Sequence, residues 1–109
     1  MALDDGLVEI LREDLAQVTN VTEKRMFGGL CFMLNGNMLC GVHKNGGMFR
    51  VGKEHEAAAL AISGARPMDF TGRPMAGFID VDDALMGDDD RRQQILALAQ
   101  AYVGAMPAK

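Results

Sequence analysis

The sequence predicts a single α+β domain, residues 1–109, with the element order α-β-β-β-α-β-β-α and an antiparallel meander in its middle third. Three observations predict this fold class. Apolar side chains recur every three or four positions near both ends of the chain, as in amphipathic helices. Between these ends, the pairs Asn35-Gly36 and Asn45-Gly46 separate three apolar runs, and Asn-Gly is the strongest short hairpin signal. The length of 109 residues also fits one domain.

The first element is a helix that we expect from Asp4 to about Thr19. Asp4 or Asp5 can cap its start, because a carboxylate suits the free N–H groups and the positive dipole end of a helix. One apolar stripe runs along it, formed by Leu7, Leu11, Leu15 and Val18. Such a stripe must face a core.

Three strands follow, over residues 25–34, 37–44 and 47–51. The Asn-Gly pairs join them by two-residue turns, whose central positions need the positive φ that Asn and Gly tolerate. The second of these turns places His43 opposite Met48. The result is a three-stranded meander.

Turns of two residues also fix the register of the first hairpin, in which Cys31 opposes Cys40 and Phe32 opposes Leu39. Side chains then alternate between two faces. The first face carries Phe27, Cys31, Met33, Met38, Cys40, Val42, Phe49 and Val51. The second face carries Met26, Leu30, Phe32, Leu34, Leu39, His43 and Arg50. We expect the helices on the first face, and a partner or more chain over the second, which is too apolar for a solvated sheet.

The rest of the chain predicts a helix, two strands and a last helix. Residues 53–62 are strong helix formers, and Gly64 suits the end of that helix. Residues 67–71 and 75–81 are expected strands, with Pro67 and Pro74 indicating sheet edges. The triplet Asp88-Asp89-Asp90 begins a helix that we expect to end near Ala105, and its apolar stripe includes Tyr102.

Charge and composition restrict the function. The net charge is −4, which argues against direct binding of nucleic acid. Residues 25–53 nevertheless contain four bases and no acid, so weak anion binding stays open. The sequence has neither a secretory leader pattern nor an apolar run of about 20 residues. Two cysteines without dense spacing fit a reducing compartment, so we expect a cytoplasmic protein with no membrane contact.

Three motifs resemble those of the TfoX N-terminal domain family. They are Arg25-Met26-Phe27-Gly28-Gly29, Phe49-Arg50-Val51-Gly52 and Phe70-Thr71-Gly72-Arg73-Pro74-Met75. With the element order, the resemblance covers about residues 5–105. It implies a fold related to the secretion-chaperone-like folds, which commonly form dimers.

The resemblance implies less about activity. Full-length members regulate natural competence in bacteria and carry a separate C-terminal helical domain. This sequence ends at Lys109 without one, so we expect a stand-alone N-terminal domain and do not carry competence regulation over to it. The motifs are structural, and the family supplies no catalytic residues.

Cys31 and Cys40 come closest to a chemical site, because the predicted register sets them face to face. They are either a redox-controlled disulfide pair or two small apolar side chains in a core. We expect the core role, since cytosolic thiols stay reduced. A metal site needs about four ligands, and His43 falls on the other face. We therefore expect no metal, no cofactor and no catalytic residue.

Our leading hypothesis is a non-enzymatic interaction or regulatory module that forms a homodimer and binds an unknown protein partner. The candidate interface is Leu30, Phe32, Leu39 and Arg50, or the adjacent sheet edge. One alternative is a transcription-linked regulator that contacts DNA or the RNA polymerase machinery. The other is a small-ligand-binding protein or an enzyme, which would need a pocket with convergent polar groups.

Overall fold

The computed structural model describes residues 5–26, 29–43, 46–70 and 73–108. Its helices are α1 (Asp5–Asp14), α2 (Glu56–Leu60), α3 (Asp83–Met86) and α4 (Asp89–Val103), and a 3-10 turn covers Lys53–His55. Its strands are β1 (Val21–Met26), β2 (Gly29–Leu34), β3 (Asn37–His43), β4 (Gly46–Arg50), β5 (Ala65–Phe70) and β6 (Arg73–Val81). The predicted α+β class and element order are confirmed, and the structure adds β1 and α3. Of the residues named above, Asp4, Phe27, Gly28, Asn45, Thr71, Gly72 and Lys109 lie outside the described ranges.

The six strands form one antiparallel sheet in the order β1-β2-β3-β4-β6-β5. The β5–β6 hairpin therefore folds back so that β6 lies beside β4. The edge strands are β1 and β5. Pro67 lies in β5, where the missing N–H is tolerated, so its predicted edge position is confirmed. Pro74 lies in β6, which is an interior strand, although β6 pairs with β4 only from Phe78 onward.

A β-bulge in β3 changes the register of the first hairpin. Leu34 pairs with Asn37 as predicted, but Phe32 pairs with Cys40. Leu39 is thus an extra residue in β3, and the predicted pairing of Phe32 with Leu39 is wrong.

The bulge also separates the two cysteines. Beyond it, Cys31 pairs with Gly41, while Cys40 pairs with Phe32. Directly opposed residues share a face of a sheet and neighbours along a strand alternate, so Cys31 and Cys40 lie on opposite faces. The prediction that they face each other is wrong, because it assumed a ladder without an extra residue.

The second hairpin also differs from the prediction, because Gly46 is a strand residue that pairs with His43. His43 therefore does not oppose Met48. Gly46 has φ +141°, and a Cβ on it would lie 2.1 Å from the carbonyl oxygen of Val81 in β6. Close approach of β6, rather than the turn, requires this glycine.

The core lies against one face of the sheet, and every helix contributes buried side chains to it. Leu7, Leu11 and Leu15 of the predicted α1 stripe are buried there. The other helices contribute Ala59, Leu85, Met86, Ile95, Leu96, Ala99 and Val103. The strands contribute Leu30, Phe32, Leu34, Leu39, Cys40, Val42, Phe49, Val51, Ile79 and Val81. Each large apolar side chain removed from water stabilises the fold by about 1.5–3 kcal/mol.

Candidate functional site

The face of the sheet that points away from the core is here named the open face. It is formed by the strand positions that alternate with the core positions. Its described residues are Thr22, Lys24, Cys31, Met33, Met38, Gly41, His43, Met48, Arg50, Arg66, Phe78 and Asp80. Cys31 and Met48 are buried among their neighbours, whereas Met33, Met38 and Phe78 are half-buried. The open face is therefore apolar in its middle and charged around it.

The structure corrects the predicted interface. Leu30, Phe32 and Leu39 are 8%, 1% and 0% exposed, and all three lie in the core beneath the helices. A partner cannot reach them without unfolding the domain. The physical reason is the bulge, which places Phe32 on the same face as Cys40. The side chains of β2 and the pair Met38 and Leu39 therefore exchange their predicted roles, whereas Cys40, Val42, Phe49 and Val51 lie in the core as predicted. Arg50 does reach the open face, opposite Phe78 of β6.

Three polar side chains interact on the open face near the β6–β5 edge. Nε2 of His43 lies 2.6 Å from Oδ1 of Asp80, and Nε of Arg66 donates to Oδ2 of Asp80 at 2.8 Å. His43 is also 3.1 Å from the carbonyl oxygen of Gly47. Both oxygens of Asp80 are thus engaged, and the cluster joins β3, β6 and β5. Its geometry favours a structural role.

Arg50 stands at the mouth of a cleft between the end of β4, the 3-10 turn and α4. The cleft has a volume of about 360 Å³ and is lined by Arg50, Gly52, Lys53, Glu54, Ala76, Gly77, Phe78 and Tyr102. The guanidinium carbon of Arg50 lies 5.5 Å from the ring centre of Phe78 and 5.8 Å from that of Tyr102. Both distances are within the range of cation–π attraction.

No carboxylate of the described ranges pairs with Arg50, in contrast to Arg12, Arg66, Arg91 and Arg92. Within the described residues, the interactions of this guanidinium are with the two aromatic rings. Sequence reasoning found Arg50 but missed Phe78 and Tyr102, which it had assigned only to a strand and to an apolar stripe. The structure brings them together because Gly52 lets the chain pass directly against the ring of Tyr102.

The two thiols are free and buried on opposite faces. Burial raises the pKa of both Cys31 and Cys40, because a thiolate is poorly solvated there. A raised pKa makes a thiol a poor nucleophile and a poor metal ligand at neutral pH. The structure therefore places these residues in packing roles.

The described residues contain no group of three or more His, Cys, Asp or Glu side chains arranged to hold a metal ion. They also contain no helix long and apolar enough to cross a membrane.

Comparison with known proteins gave one match. Residues 13–102 match the model of the family described as the TfoX N-terminal domain, which covers most of the chain. The match supports a domain of the kind found in regulatory modules. No curated protein and no solved structure matches.

Proposed function

We propose that this chain, which belongs to the TfoX N-terminal domain family, is a non-enzymatic regulatory module whose open face binds an acidic segment of a protein partner. One observation carries the proposal. Among its described residues, the open face presents the cations Lys24, Arg50 and Arg66 and the single carboxylate of Asp80, in a protein of net charge −4. Its charge is opposite in sign to that of the whole chain.

The apolar middle of this face suits a partner segment that also carries apolar side chains. Met33 and Met38 face each other across β2 and β3 and are half-buried. Methionine adapts its shape to irregular partners, and arginine beside apolar anchors is enriched in interfaces. Acidic side chains on the segment would meet the surrounding cations, which steers association and selects against basic partners.

A second copy of this chain does not suit the open face. In an isologous dimer the same patch meets itself, so Arg50 and Arg66 would approach the same cations of the other copy. Like charges across an interface cost free energy, and a single carboxylate per face does not compensate them. Charge complementarity therefore favours a different chain as the occupant.

The test uses two synthetic amphipathic peptides that share leucine positions and carry glutamates in one case and lysines in the other. We expect fluorescence anisotropy to show binding of the glutamate peptide alone, weakening as salt is raised. Arg66→Gln should weaken it by about two- to fivefold, the usual size of an exposed charge pair. Equal binding of both peptides, or none at low salt, would refute the proposal.

The matched control is Gln94→Glu. It changes the net charge by the same amount as Arg66→Gln, but Gln94 is an exposed residue of α4 on the helical side of the domain. We expect it to leave the affinity for the glutamate peptide unchanged. Equal weakening by both variants would mean that overall charge, and not the open face, attracts the peptide.

We also propose that two copies pair through the edge strand β1. Within the part of the chain that the structure describes, this strand pairs only with β2, and no described strand lies on its other side. A two-fold axis at Lys24 would set Glu23 opposite Arg25 of the partner subunit, twice per dimer. Glu23 already accepts two hydrogen bonds from Arg12, at 2.7 and 2.8 Å, and so is held in place. Opposite charges on facing strands stabilise a pair.

Two neighbouring substitutions test this dimer, because both replace one exposed cation by threonine. Arg25→Thr removes the partner of Glu23 and should weaken the dimer. Lys24→Thr removes two like charges that meet on the axis and should strengthen it. Light scattering after size exclusion over a range of concentrations distinguishes these outcomes. A wild-type monomer at every concentration, or a shift in the same direction for both variants, would disprove this pairing.

A further inference from the structure

We propose that the cleft beside Arg50 is a binding site for a single carboxylate group attached to a small apolar body. The site is distinct from the binding of an acidic segment by the open face, since it requires one monoanion and the walls of the cleft. Its volume of about 360 Å³ falls at the lower end of the range of small-molecule sites.

The donor is the guanidinium of Arg50. Its carbon lies 5.5 Å and 5.8 Å from the ring centres of Phe78 and Tyr102, and no carboxylate of the described residues forms an ion pair with it. An arginine presents two parallel N–H donors that match the two oxygens of a carboxylate. Because the rings restrict the side chain before any ligand binds, less conformational entropy is lost on binding.

The charge of the cleft fits a monoanion better than a dianion. Arg50 and Lys53 bring two positive charges to the lining, and Glu54 brings one negative charge. Glu56 lies next to the lining, where its carboxylate accepts from the N–H of Gly77. The lining itself thus carries one net positive charge, which a single carboxylate matches. A phosphate dianion would exceed that charge and would meet repulsion from Glu54 and Glu56.

The frame of the cleft is built from two glycines in conformations that other residues rarely adopt. Gly52 has φ +82° and Gly77 has φ +84°. The N–H groups of Val51 and Gly52 both donate to the carbonyl oxygen of Gly77, at 2.9 and 3.0 Å. A Cβ on Gly52 would lie 2.4 Å from the ring of Tyr102. The backbone and the aromatic wall are therefore fixed in contact, which keeps the cleft shaped in the absence of a ligand.

The experiment is a titration of ¹⁵N-labelled protein with benzoate, followed by the amide signals of Gly52 and Gly77 and the Nε–H signal of Arg50. Benzamide, which has the same shape without the charge, is the ligand control. We expect saturable shifts with benzoate in the millimolar range and none with benzamide. Arg50→Gln should weaken benzoate binding by about tenfold or more, as expected for loss of a charge-assisted pair.

Arg66→Gln is the protein control, because it removes one positive charge from the same sheet outside the cleft lining. We expect it to leave benzoate binding unchanged, although the proposed function requires it to weaken the binding of an acidic peptide. The two proposals can thus fail separately. The proposed site would be refuted by equal signal shifts with benzoate and benzamide. It would also be refuted if Arg50→Gln and Arg66→Gln weakened benzoate binding equally.

Two further ligands determine the source and the class of the anion. N-acetylphenylalanine carries the carboxylate of a peptide C-terminus, and its amide is the matched neutral compound. Binding of the acid and not of the amide supports a peptide terminus as a source, whereas binding of benzoate alone supports a free small molecule. Inorganic phosphate at the same concentration should bind more weakly than benzoate, and tighter binding of phosphate would overturn the assignment to a monocarboxylate.

Discussion

Arg92 and Asp14 form a nearly buried ion pair that joins the end of α1 to the start of α4. Nε of Arg92 lies 2.6 Å from Oδ2 of Asp14, and the side chains are 4% and 9% exposed. Arg92 also donates to the carbonyl oxygen of Met86 at 2.9 Å and to Asp89 at 2.7 Å. Burial alone would lower the pKa of Arg92, but the hydrogen bonds and charges of Asp14 and Asp89 outweigh it, so the pKa is raised. The guanidinium thus organises the junction of three helices.

Removing one member of this pair should destabilise the domain strongly. We expect Arg92→Met to lower the free energy of unfolding by about 3 kcal/mol or more, because Asp14 is left nearly buried without its counter-ion. The double variant Asp14→Leu with Arg92→Met should cost less than Arg92→Met alone. Urea unfolding of the wild type, both single variants and the double variant measures this coupling. Additive effects would contradict it.

The core position of Phe32 makes a second prediction. Phe32→Ala should lower the free energy of unfolding by about 3–5 kcal/mol, because it leaves a cavity among the helices and the sheet. Met33→Ala is the adjacent control on the open face, and we expect it to cost less than about 1 kcal/mol. Urea midpoints of both variants check this. A larger loss of unfolding free energy for Met33→Ala than for Phe32→Ala would contradict the assignment of the core to the face that carries Phe32.

The separation of the thiols makes a third prediction. Native protein treated with diamide should form no bond between Cys31 and Cys40, because the sheet lies between the two side chains and burial raises the pKa of each thiol. The same treatment in urea should oxidise both. Intact-mass measurement after alkylation distinguishes the two states. A disulfide in the folded protein would contradict the bulge.

The cap of α4 makes a fourth prediction, about pH. The Asp88 side chain accepts from the backbone N–H of Arg91 at 3.0 Å, and this bond lowers the pKa of Asp88 below 3.8. A group whose folded pKa is depressed stabilises the fold above its unfolded pKa and loses that effect as pH falls through the folded value. Asp88→Ala should therefore destabilise more at about pH 7 than at about pH 3.

Asp88→Asn separates the charge from the cap. Asparagine caps a helix about as well as aspartate but does not titrate. We expect its stability relative to Asp88→Ala to be the same at both pH values, whereas the wild type loses part of its advantage in acid. Urea midpoints at the two pH values measure both differences. If the stability of the wild type relative to Asp88→Ala increased in acid, the lowered pKa of Asp88 would be contradicted.

The sequence predicted those parts of the fold that depend on local periodicity. The stripe of α1 and the start of α4 follow from spacing and capping, which act within a few residues. β1 was missed because its Thr-Glu-Lys-Arg centre is polar, as an edge strand permits. An edge strand needs only one neighbour and no apolar alternation, so periodicity cannot reveal it.

The open face was missed for a different reason. Met38, Leu39 and Cys40 are three consecutive apolar residues, and this run hides the position at which alternation breaks. The pairing energy of the whole hairpin decides the position of the extra residue. The cleft likewise depends on contacts between β4, β6 and α4, which are distant along the chain. Of the cleft, the sequence indicated Arg50 and, as part of the acid-free run of residues 25–53, Lys53.

The extra residue in β3 also determines how this chain can vary. Deleting Leu39 would make Met38 and Cys40 neighbours on opposite faces, where they already lie, so β2 and β3 could pair as a regular ladder. The loss would be one buried leucine side chain and not the register of the hairpin. Relatives that keep this architecture can therefore lack one residue at this position.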